Sequence, residues 1–232
     1  EMAVSRPEVV TKEVDGILHE PFENLVVDVE EEHQGGVIEE LGLRRAEMKD
    51  MTSDGRGRTR IIFIIPTRGL IGFRTQFLGM TSGSGILTHV FDHFGPVKKG
   101  EIAGRNNGVL VSMVKGKSLG FALFNLQDRG RLFIEPNREE ISHGMIIGEN
   151  SRGGDIDVNP LKAKQLTNIR AAGTDENILL SPPIKHSLEQ AMEFIEKDEL
   201  VEITPTNIRL RKQFLTENER KRHNRGSELR GV

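Results

Sequence analysis

The sequence has 232 residues, of which 36% are hydrophobic and 29% are charged, so it has enough apolar material for two compact domains. It contains no cysteine, which excludes disulfides and thiolate metal sites and fits a reducing cytoplasm. No apolar run approaches the ~20 residues that a membrane-spanning helix needs, and residues 1–7 do not resemble a secretory signal. We therefore expect a cytoplasmic protein without a membrane partner.

The formal net charge is -3, but the charges are unevenly distributed along the chain. Between Glu13 and Asp50 there are twelve acidic and three basic residues, whereas Arg56 to Arg74 contains five arginines and no acid. From Arg209 to Arg230 there are eight bases and three acids. A polyanion responds to charges within about 10 Å, so local basic patches permit RNA binding by an acidic chain. The alternative is that each patch is an ordinary solvated face.

The aromatic composition narrows the kind of nucleic acid that could bind. There is no Trp and no Tyr, and the 11 Phe residues lie mostly in apolar runs. Proteins that bind single strands usually stack bases on exposed rings. We therefore expect any RNA partner to be folded RNA, held through its phosphates by Arg and Lys.

Residues 18–96 show six elements in the order β-α-β-β-α-β. The strand predictions cover Leu25–Val29, Ala46–Met51, Ile61–Ile65 and Ile86–Phe91, and the helix predictions rest on Val37, Ile38 and Leu41 and on Leu70, Phe73, Phe77 and Met80. This order is that of the ferredoxin-like split βαβ fold, with two helices on one face of a four-stranded antiparallel sheet. The fold class is therefore predicted to be α+β.

A glycine- and lysine-rich stretch, Gly95–Gly100, predicts a boundary, and residues 97–232 form a second, β-rich domain with peripheral helices. Short strands are predicted at Val109–Val114, Leu132–Ile134, Met145–Ile147, Leu200–Ile203 and Ile208–Leu210. Leu119–Leu126 is ambiguous between helix and strand. The pairs Ser187 with Gln190 and Thr216 with Glu219 have the spacing of capping boxes and predict two helices, the second of them basic. Arg152–Asn177 lacks a sustained apolar period and is predicted to be a long basic loop.

The patterns that suggest catalysis or metal binding are all weak. Gly116-Lys117-Ser118 resembles the end of a phosphate-binding loop, but the glycine required five residues earlier is Val111. His89 and His93 lie four apart on a predicted strand, too far apart to share one metal. Gly83-Ser84-Gly85 lacks the flanking order of a nucleophile elbow. Three consecutive acids, Glu30–Glu32, are expected to form a solvated strand end, so no catalytic or metal site is predicted.

The basic residues remain as the candidate binding site. Guanidinium groups match phosphate oxygens in geometry and charge, and lysines add positive charge. The candidate RNA-binding residues form three groups: Arg56, Arg58 and Arg60 at a Gly-rich turn; Lys162, Lys164 and Arg170 in the polar loop; and Arg209, Arg211 and Lys212 with Arg220, Lys221 and Arg222 near the C-terminus.

Several longer runs resemble a known family. Glu20–Asn24, Ile65–Arg74 and Met80–Gly85 resemble domain V of the BipA (TypA) family of translational GTPases, the counterpart of domain V of elongation factor G. Phe121–Gly130, Leu166–Glu176 and Asp198–Pro205 resemble the C-terminal domain that is specific to this family. The resemblance covers essentially the whole chain.

The resemblance implies a role in ribosome binding. Residues 1–17 would be the tail of a preceding domain, residues 18–96 domain V, and residues 97–232 the family-specific domain. GTP and Mg²⁺ would be bound by a G domain that this chain does not contain, so we expect no cofactor and no GTP hydrolysis here. The expected partners are the 70S ribosome or its 50S subunit, rRNA, and the acceptor end of A-site tRNA contacted by the 152–177 loop. The implied processes are large-subunit assembly and stress or cold adaptation.

Two other interpretations remain open. Ferredoxin-like folds also host acyl-phosphate hydrolysis, but that reaction needs an Arg-containing loop after the first strand, where this chain has Glu30–Glu32. A protein–protein scaffold could instead use the acidic face of residues 13–50 to hold a basic ribosomal protein.

Overall fold

The computed structural model describes residues 2–100, 105, 107–138, 140–163 and 179–229. The chain divides into two compact units. The ferredoxin-like unit is Pro7–Gly104, and the C-terminal unit combines Glu1–Arg6 with Arg105–Val232. The division therefore falls near residue 104, later than the stretch expected from composition.

The described residues contain the following elements. The strands are β1 (Met2–Ser5), β2 (Lys12–Val14), β3 (Ile17–Glu30), β4 (Glu47–Ser53), β5 (Arg58–Pro66), β6 (Ile86–Pro96), β7 (Val109–Ser112), β8 (Gly116–Lys117), β9 (Glu140–Ile141), β10 (Met145–Glu149), β11 (Ile156–Val158), β12 (Glu199–Ile203) and β13 (Ile208–Lys212). The α-helices are α1 (Gln34–Leu43), α2 (Phe73–Met80), α3 (Gly120–Gln127), α4 (Leu188–Phe194) and α5 (Glu217–Leu229), and a 3-10 helix spans Thr67–Gly69. Among these helices, none is both long and apolar enough to cross a membrane.

From β3 to β6 the ferredoxin-like unit has the predicted β-α-β-β-α-β order, and the predicted α+β class is confirmed. Its sheet has the order β2-β3-β5-β4, and β6 also pairs with β3. Strand β2 adds a fifth strand to the sheet, for which four strands were expected. All of these pairs are antiparallel. Alternate residues of β3 and β5 face one core, which they share with apolar residues of α1 and α2. The buried residues of this core are Leu25, Val27, Val29, Val37, Leu41, Ile61, Phe63, Ile65, Phe73 and Phe77.

A buried arginine links the two helices of this unit. Arg44 donates hydrogen bonds to the Glu40 side chain at 2.8 Å, to the carbonyls of Gly69 (2.8 Å) and Ile71 (3.1 Å), and to the Gln76 amide oxygen at 2.7 Å. Because α1 ends beside Arg44 and α2 contains Gln76, one guanidinium satisfies polar groups from both helices. Arg44 is thus a structural residue.

The C-terminal unit is built on a six-stranded sheet with the order β1-β12-β13-β10-β7-β11. Every neighbouring pair is antiparallel except β7 with β11. Strand β7 is buried along its whole length and contributes Leu110 to one core and Val109 and Val111 to another. Helix α3 covers the first of these cores, and α4 covers the second.

The residues before Ile17 differ from the expectation of a single tail at 1–17. Strand β1 pairs with β12 in the C-terminal unit, with Met2 opposite Ile203 and Ser5 opposite Leu200. Strand β2 instead pairs with β3 in the other unit. The ladder bonds of these two short strands therefore place residues 2–5 and 12–14 in different units.

The other elements predicted for the C-terminal unit agree with the structure in some places and differ from it in others. The ambiguous Leu119–Leu126 segment is the helix α3, and the Ser187–Gln190 capping box starts α4 as predicted. The predicted strand at Leu132–Ile134 is reduced to one bridge, between Leu132 and Gly148, where the pairing of β10 is irregular. The predicted 152–177 loop contains a strand, because Ile156–Val158 forms β11 beside β7.

Candidate nucleic-acid interface

The β4–β5 hairpin tip holds the first group of candidate residues. The Asp54 carboxylate accepts hydrogen bonds from the backbone N–H groups of Arg56 (2.7 Å) and Arg58 (3.0 Å), which lower the pKa of Asp54. Gly55 and Gly57 have positive φ angles of 66° and 92°, which favour glycine. The turn therefore has a defined geometry and leaves Arg56 exposed at its tip.

Arg58 and Arg60 share one face of β5 but differ in availability. Arg58 donates from Nε to the Asp28 carboxylate at 2.7 Å and from Nη2 to the carbonyls of Asp28 and Ser84. Arg60 is 65% exposed and reaches the same carboxylate at only 3.5 Å. Exposed ion pairs contribute little, so Arg60 can exchange Asp28 for a phosphate. Arg58 is instead held by its bonds to Asp28 and Ser84, which counts against its prediction as an RNA contact.

The acidic run lies directly against this hairpin tip. Glu31 donates its backbone N–H to the Gly57 carbonyl at 3.0 Å and accepts a hydrogen bond from the Ser53 hydroxyl at 3.0 Å. Glu30–Glu32 and Arg56 line the same shallow recess. The hairpin surface therefore mixes both charges, and its attraction for RNA is weaker than the arginines alone suggest.

Two acids of the run lie close to the histidine that follows it. Residues 31–33 form a turn rather than a continuing strand. Glu30, Glu32 and His33 each place one potential ligand atom within 4.8 Å of the others. Glu31 is not part of this group, and exposed acidic groups of this kind commonly occur without a metal, so the absence of a metal site stays a prediction.

Lys212 is an internal residue, which corrects its assignment to an RNA-binding surface. Only 2% of its side chain is exposed, and its ammonium lies 2.6 Å from Asp155, 2.9 Å from Asp198 and 2.9 Å from Glu199. The reason is strand alternation, because Lys212 and the buried Leu210 point to the same side of β13. The sequence prediction grouped Lys212 with the neighbouring basic residues and did not take this alternation into account.

The buried carboxylate of Glu199 joins Lys212 to a larger ionic network. Arg105 donates two hydrogen bonds to Glu199, at 2.9 and 3.1 Å. Burial raises the pKa of Glu199, but Arg105 and Lys212 outweigh burial and the resulting pKa is lowered. Glu196 accepts the backbone N–H of Arg105 and pairs with Arg6 at 3.1 Å, so the network extends to the end of β1. These charges stabilise the unit and are not available to a partner.

The other two candidates on β13 are half-buried. Arg209 lies opposite Glu202 in the β12–β13 ladder, and the Arg211 guanidinium lies 3.8 Å from the Glu202 carboxylate. Arg209 also lines a cavity of about 510 Å³ together with residues that include Phe133 and His186. RNA contact by Arg209 and Arg211 stays a prediction, and their burial limits it.

The last helix presents its basic side chains in two ways. Glu219 and Thr216 form the predicted capping box, which fixes the first turn of α5. Arg220 turns inward, where it donates to the carbonyls of Phe214 (3.0 Å) and Leu215 (2.9 Å) and pairs with Asp157. Arg220 therefore anchors the helix instead of facing solvent.

The following turn of α5 is the exposed cationic surface. Lys221, Arg222 and Arg225 are all exposed. Lys221 pairs with Glu217 one turn earlier, but both groups are half-exposed or more, so this pair is weak. Within the described chain, Arg222 and Arg225 make no ion pair.

The polar loop is described only in part. Lys162 is exposed. Lys164 and Arg170 lie outside the described residues, so RNA binding by this group of candidates stays a prediction.

The structure assigns other partners to the weak motifs. Gly116 and Lys117 form the short strand β8, and the Ser118 hydroxyl donates to the Glu135 carbonyl at 3.0 Å. The two histidines have separate contacts, His89 with Glu23 and His93 with Asp92. None of these groups is arranged around a shared site in the described residues.

Sequence reasoning missed one group of exposed bases. Arg129 and Arg131 lie beside the 149–152 segment, which carries Arg152. The three positions are too far apart in sequence to form a visible basic run. The sequence feature that could have indicated this group is Gly130, because a glycine permits another backbone segment to pack closely against it.

Comparisons with known proteins agree with this two-unit organisation. Residues 17–103 match the model of the elongation factor G C-terminus, and residues 107–217 match the TypA/BipA C-terminal domain. A protein of Salmonella typhimurium named large ribosomal subunit assembly factor BipA is 56% identical over 226 residues. Proteins with the same name from Escherichia coli K12 and Haemophilus influenzae are 55% and 56% identical over 225 residues.

These relatives are longer than this chain. Each alignment covers 97% of the chain but only 36–37% of the relative. A crystal structure of a Thermus thermophilus protein aligns with a TM-score of 0.34 and 27% identity over 35% of this chain and 12% of that one, too limited an overlap to support a structural argument. The two adjoining domain matches and the identity over nearly the whole chain show that it belongs to the TypA/BipA family and carries that family's C-terminal domain.

Proposed function

We propose that this chain is a ribosome-docking module that binds folded RNA of the large subunit through its exposed cations. The single observation that carries the proposal is the exposed turn of α5, with Lys221, Arg222 and Arg225 on an otherwise acidic chain. The names of the relatives, which are large ribosomal subunit assembly factors, support the choice of partner.

The geometry of α5 supports phosphate binding. Lys221 and Arg225 are four residues apart and therefore lie on the same helix face, with Arg222 adjacent. The cap at Thr216 and the inward contacts of Arg220 fix the start of the helix, so its cations are presented on a defined element. RNA phosphates would displace the weak partner of Lys221 and release counterions from the RNA.

In this proposal the chain carries out no chemical step. Its residues bind and orient, while GTP and Mg²⁺ would be handled by the G domain of a full-length protein. The finer proposals, from the family resemblance, are contacts with rRNA and with the acceptor end of A-site tRNA, the latter through residues of the 152–177 segment. Large-subunit assembly and stress or cold adaptation would then be the processes served, in the cytoplasm.

Co-sedimentation of the whole chain with purified 50S subunits tests the proposal. We expect binding at low salt that weakens steeply as salt rises, and a marked loss in the variant K221A/R222A/R225A. The matched control is K115A/R138A/K185A, which removes three cations that are 70–73% exposed and paired with Glu135 or Glu140. Absence of wild-type binding at low salt, or equal loss in both variants, would contradict the proposal.

The second candidate is a protein-only scaffold, favoured by the exposed acidic groups of Glu31 and Glu32. In that case a basic ribosomal protein would bind the acidic run. The variant E30Q/E31Q/E32Q separates the two, because it should abolish binding to a scaffold partner while leaving RNA docking intact or slightly stronger.

A further inference from the structure

Three backbone segments cross closely at one edge of the C-terminal unit. Residues 129–132 run antiparallel to residues 148–151, with Ser151 N–H donating to the Arg129 carbonyl at 2.7 Å and Glu149 N–H donating to the Arg131 carbonyl at 2.8 Å. Gly108 joins the same site from the other side, donating to the Arg152 carbonyl at 3.0 Å. Residues distant in sequence are thereby fixed next to each other.

Glycine is required for this crossing. A Cβ atom at Gly130 would lie 1.9 Å from the Glu149 carbonyl oxygen, and one at Gly108 would lie 1.8 Å from the Gly154 carbonyl oxygen. Both obstacles are backbone atoms, which cannot rotate away as a side chain can. The positions of the neighbouring side chains are therefore set by the fold.

The crossing separates buried side chains from exposed cationic side chains. Leu132 and Asn150 are 7% and 2% exposed and face inward. Arg129, Arg131 and Arg152 are exposed, and within the described chain they make no ion pair. Arg129 lies in the turn that ends α3, and Arg131 follows the bend at Gly130, so both belong to the short segment that pairs with residues 148–151.

The nearby acids do not cancel this positive charge. Glu149 is half-buried, and its carboxylate accepts a hydrogen bond from the Asn107 amide at 2.9 Å. Asp155 is engaged by Lys212 at 2.6 Å. Asp128 is the exposed acid of the crossing itself, which leaves three guanidinium groups against one free carboxylate.

We propose that Arg129, Arg131 and Arg152 form a second phosphodiester-binding site, which holds the backbone of large-subunit RNA. The inference rests on the proposed function but concerns residues outside α5 and outside the three groups of candidate RNA-binding residues. Each guanidinium offers paired N–H donors that match the oxygens of a phosphate. Because backbone hydrogen bonds hold the segments of these three arginines together, the site can contact neighbouring phosphates of one RNA backbone.

The test is the salt dependence of binding to purified 50S subunits. A plot of log K against log salt has a negative slope. We expect R129A/R131A/R152A to make this slope shallower by about three, roughly one for each lost phosphate contact. The charge-conserving variant R129K/R131K/R152K should retain a slope close to that of the wild type. The control K115A/R138A/K185A should change the slope by less than about one. Thermal unfolding of each variant verifies that the exposed substitutions leave the fold intact.

The outcomes separate this inference from the proposed function. Failure of the wild-type chain to bind 50S subunits would refute the proposed function itself. Wild-type binding with an unchanged slope for R129A/R131A/R152A would overturn only the second site. Loss of binding to subunits with unchanged binding to protein-free 23S rRNA would also overturn it, because the partner of these arginines would then be an acidic protein surface.

Discussion

Replacing Lys212 with Met is the sharpest test of the internal ionic network. Met has a similar length but no charge, so the substitution removes the ammonium while retaining most of the packing. The ammonium lies within 3 Å of three carboxylates, those of Asp155, Asp198 and Glu199. Since Glu199 is fully buried, its carboxylate cannot be rehydrated where it stands.

The expected loss in the free energy of unfolding follows from the surroundings of Lys212. Removing one partner of a buried ion pair costs about 3–5 kcal/mol. Glu199 keeps its two hydrogen bonds from Arg105, and the side chains of Asp155 and Asp198 are 35% and 50% exposed. We therefore expect the free energy of unfolding to fall by about 3 kcal/mol, the lower end of that range. For a chain of this size, this corresponds to a decrease in Tm of roughly 6–12 °C.

The loss should depend on pH in a defined direction. The folded-state pKa of Glu199 is lowered, since Arg105 and Lys212 outweigh the opposing effect of burial. A lowered pKa stabilises the fold above the unfolded-state pKa, and this stabilisation disappears as pH falls through the folded-state value. Removing Lys212 takes away part of that stabilisation. The difference between wild type and variant should therefore be full at pH 7 and shrink below about pH 4.

Differential scanning calorimetry at pH 7 and at about pH 3 measures both effects. Lys185→Met is the matched control, because Lys185 is 73% exposed and its loss should change stability by no more than about 0.5 kcal/mol. Equal Tm values for Lys212→Met and Lys185→Met at pH 7 would refute the assignment of Lys212 as a structural residue.

Two further substitutions probe the architecture around the proposed sites. Arg68→Ala should destabilise the ferredoxin-like unit by about 3 kcal/mol. The reason is that Glu20 is only 1% exposed and would lose the guanidinium at 2.6 Å, while it keeps the hydrogen bond from the Lys98 backbone N–H at 2.8 Å. Urea unfolding measures the free energy of unfolding, and a change within experimental error would contradict this prediction. Gly130→Ala should lower the free energy of unfolding by about 1–3 kcal/mol or more, because the added Cβ would lie 1.9 Å from the Glu149 carbonyl oxygen. An unchanged urea midpoint would show that the backbone segments do not approach each other this closely.

The ferredoxin-like unit was predictable from the sequence because its local patterns agree with the tertiary structure. Leu25, Val27 and Val29 alternate along β3 and are all buried, as a strand with one covered face requires. Phe73 and Phe77 repeat at helical spacing and are both buried on α2. In such cases the period of the apolar residues determines which face packs.

The candidate site was only partly predictable, because charge in a sequence does not reveal which way a side chain points. Lys212 sits in a basic run, yet strand alternation directs it into the interior. Arg220 belongs to another basic run, but its contact with Asp157 depends on a strand more than 60 residues earlier. Arg129 and Arg152 become neighbours only through long-range backbone hydrogen bonds, which no local pattern contains. Strand β11 was missed for the same reason, since its parallel partner β7 is distant in sequence.

Hydroxyl-radical footprinting of 23S rRNA in 50S subunits, with and without the chain, shows whether the exposed cations contact the RNA backbone. We expect protected ribose positions in the presence of the wild-type chain, and loss of a defined subset of them with K221A/R222A/R225A. Stable binding to the subunit with no protected rRNA position would contradict it, because the cations would then have no RNA backbone in contact.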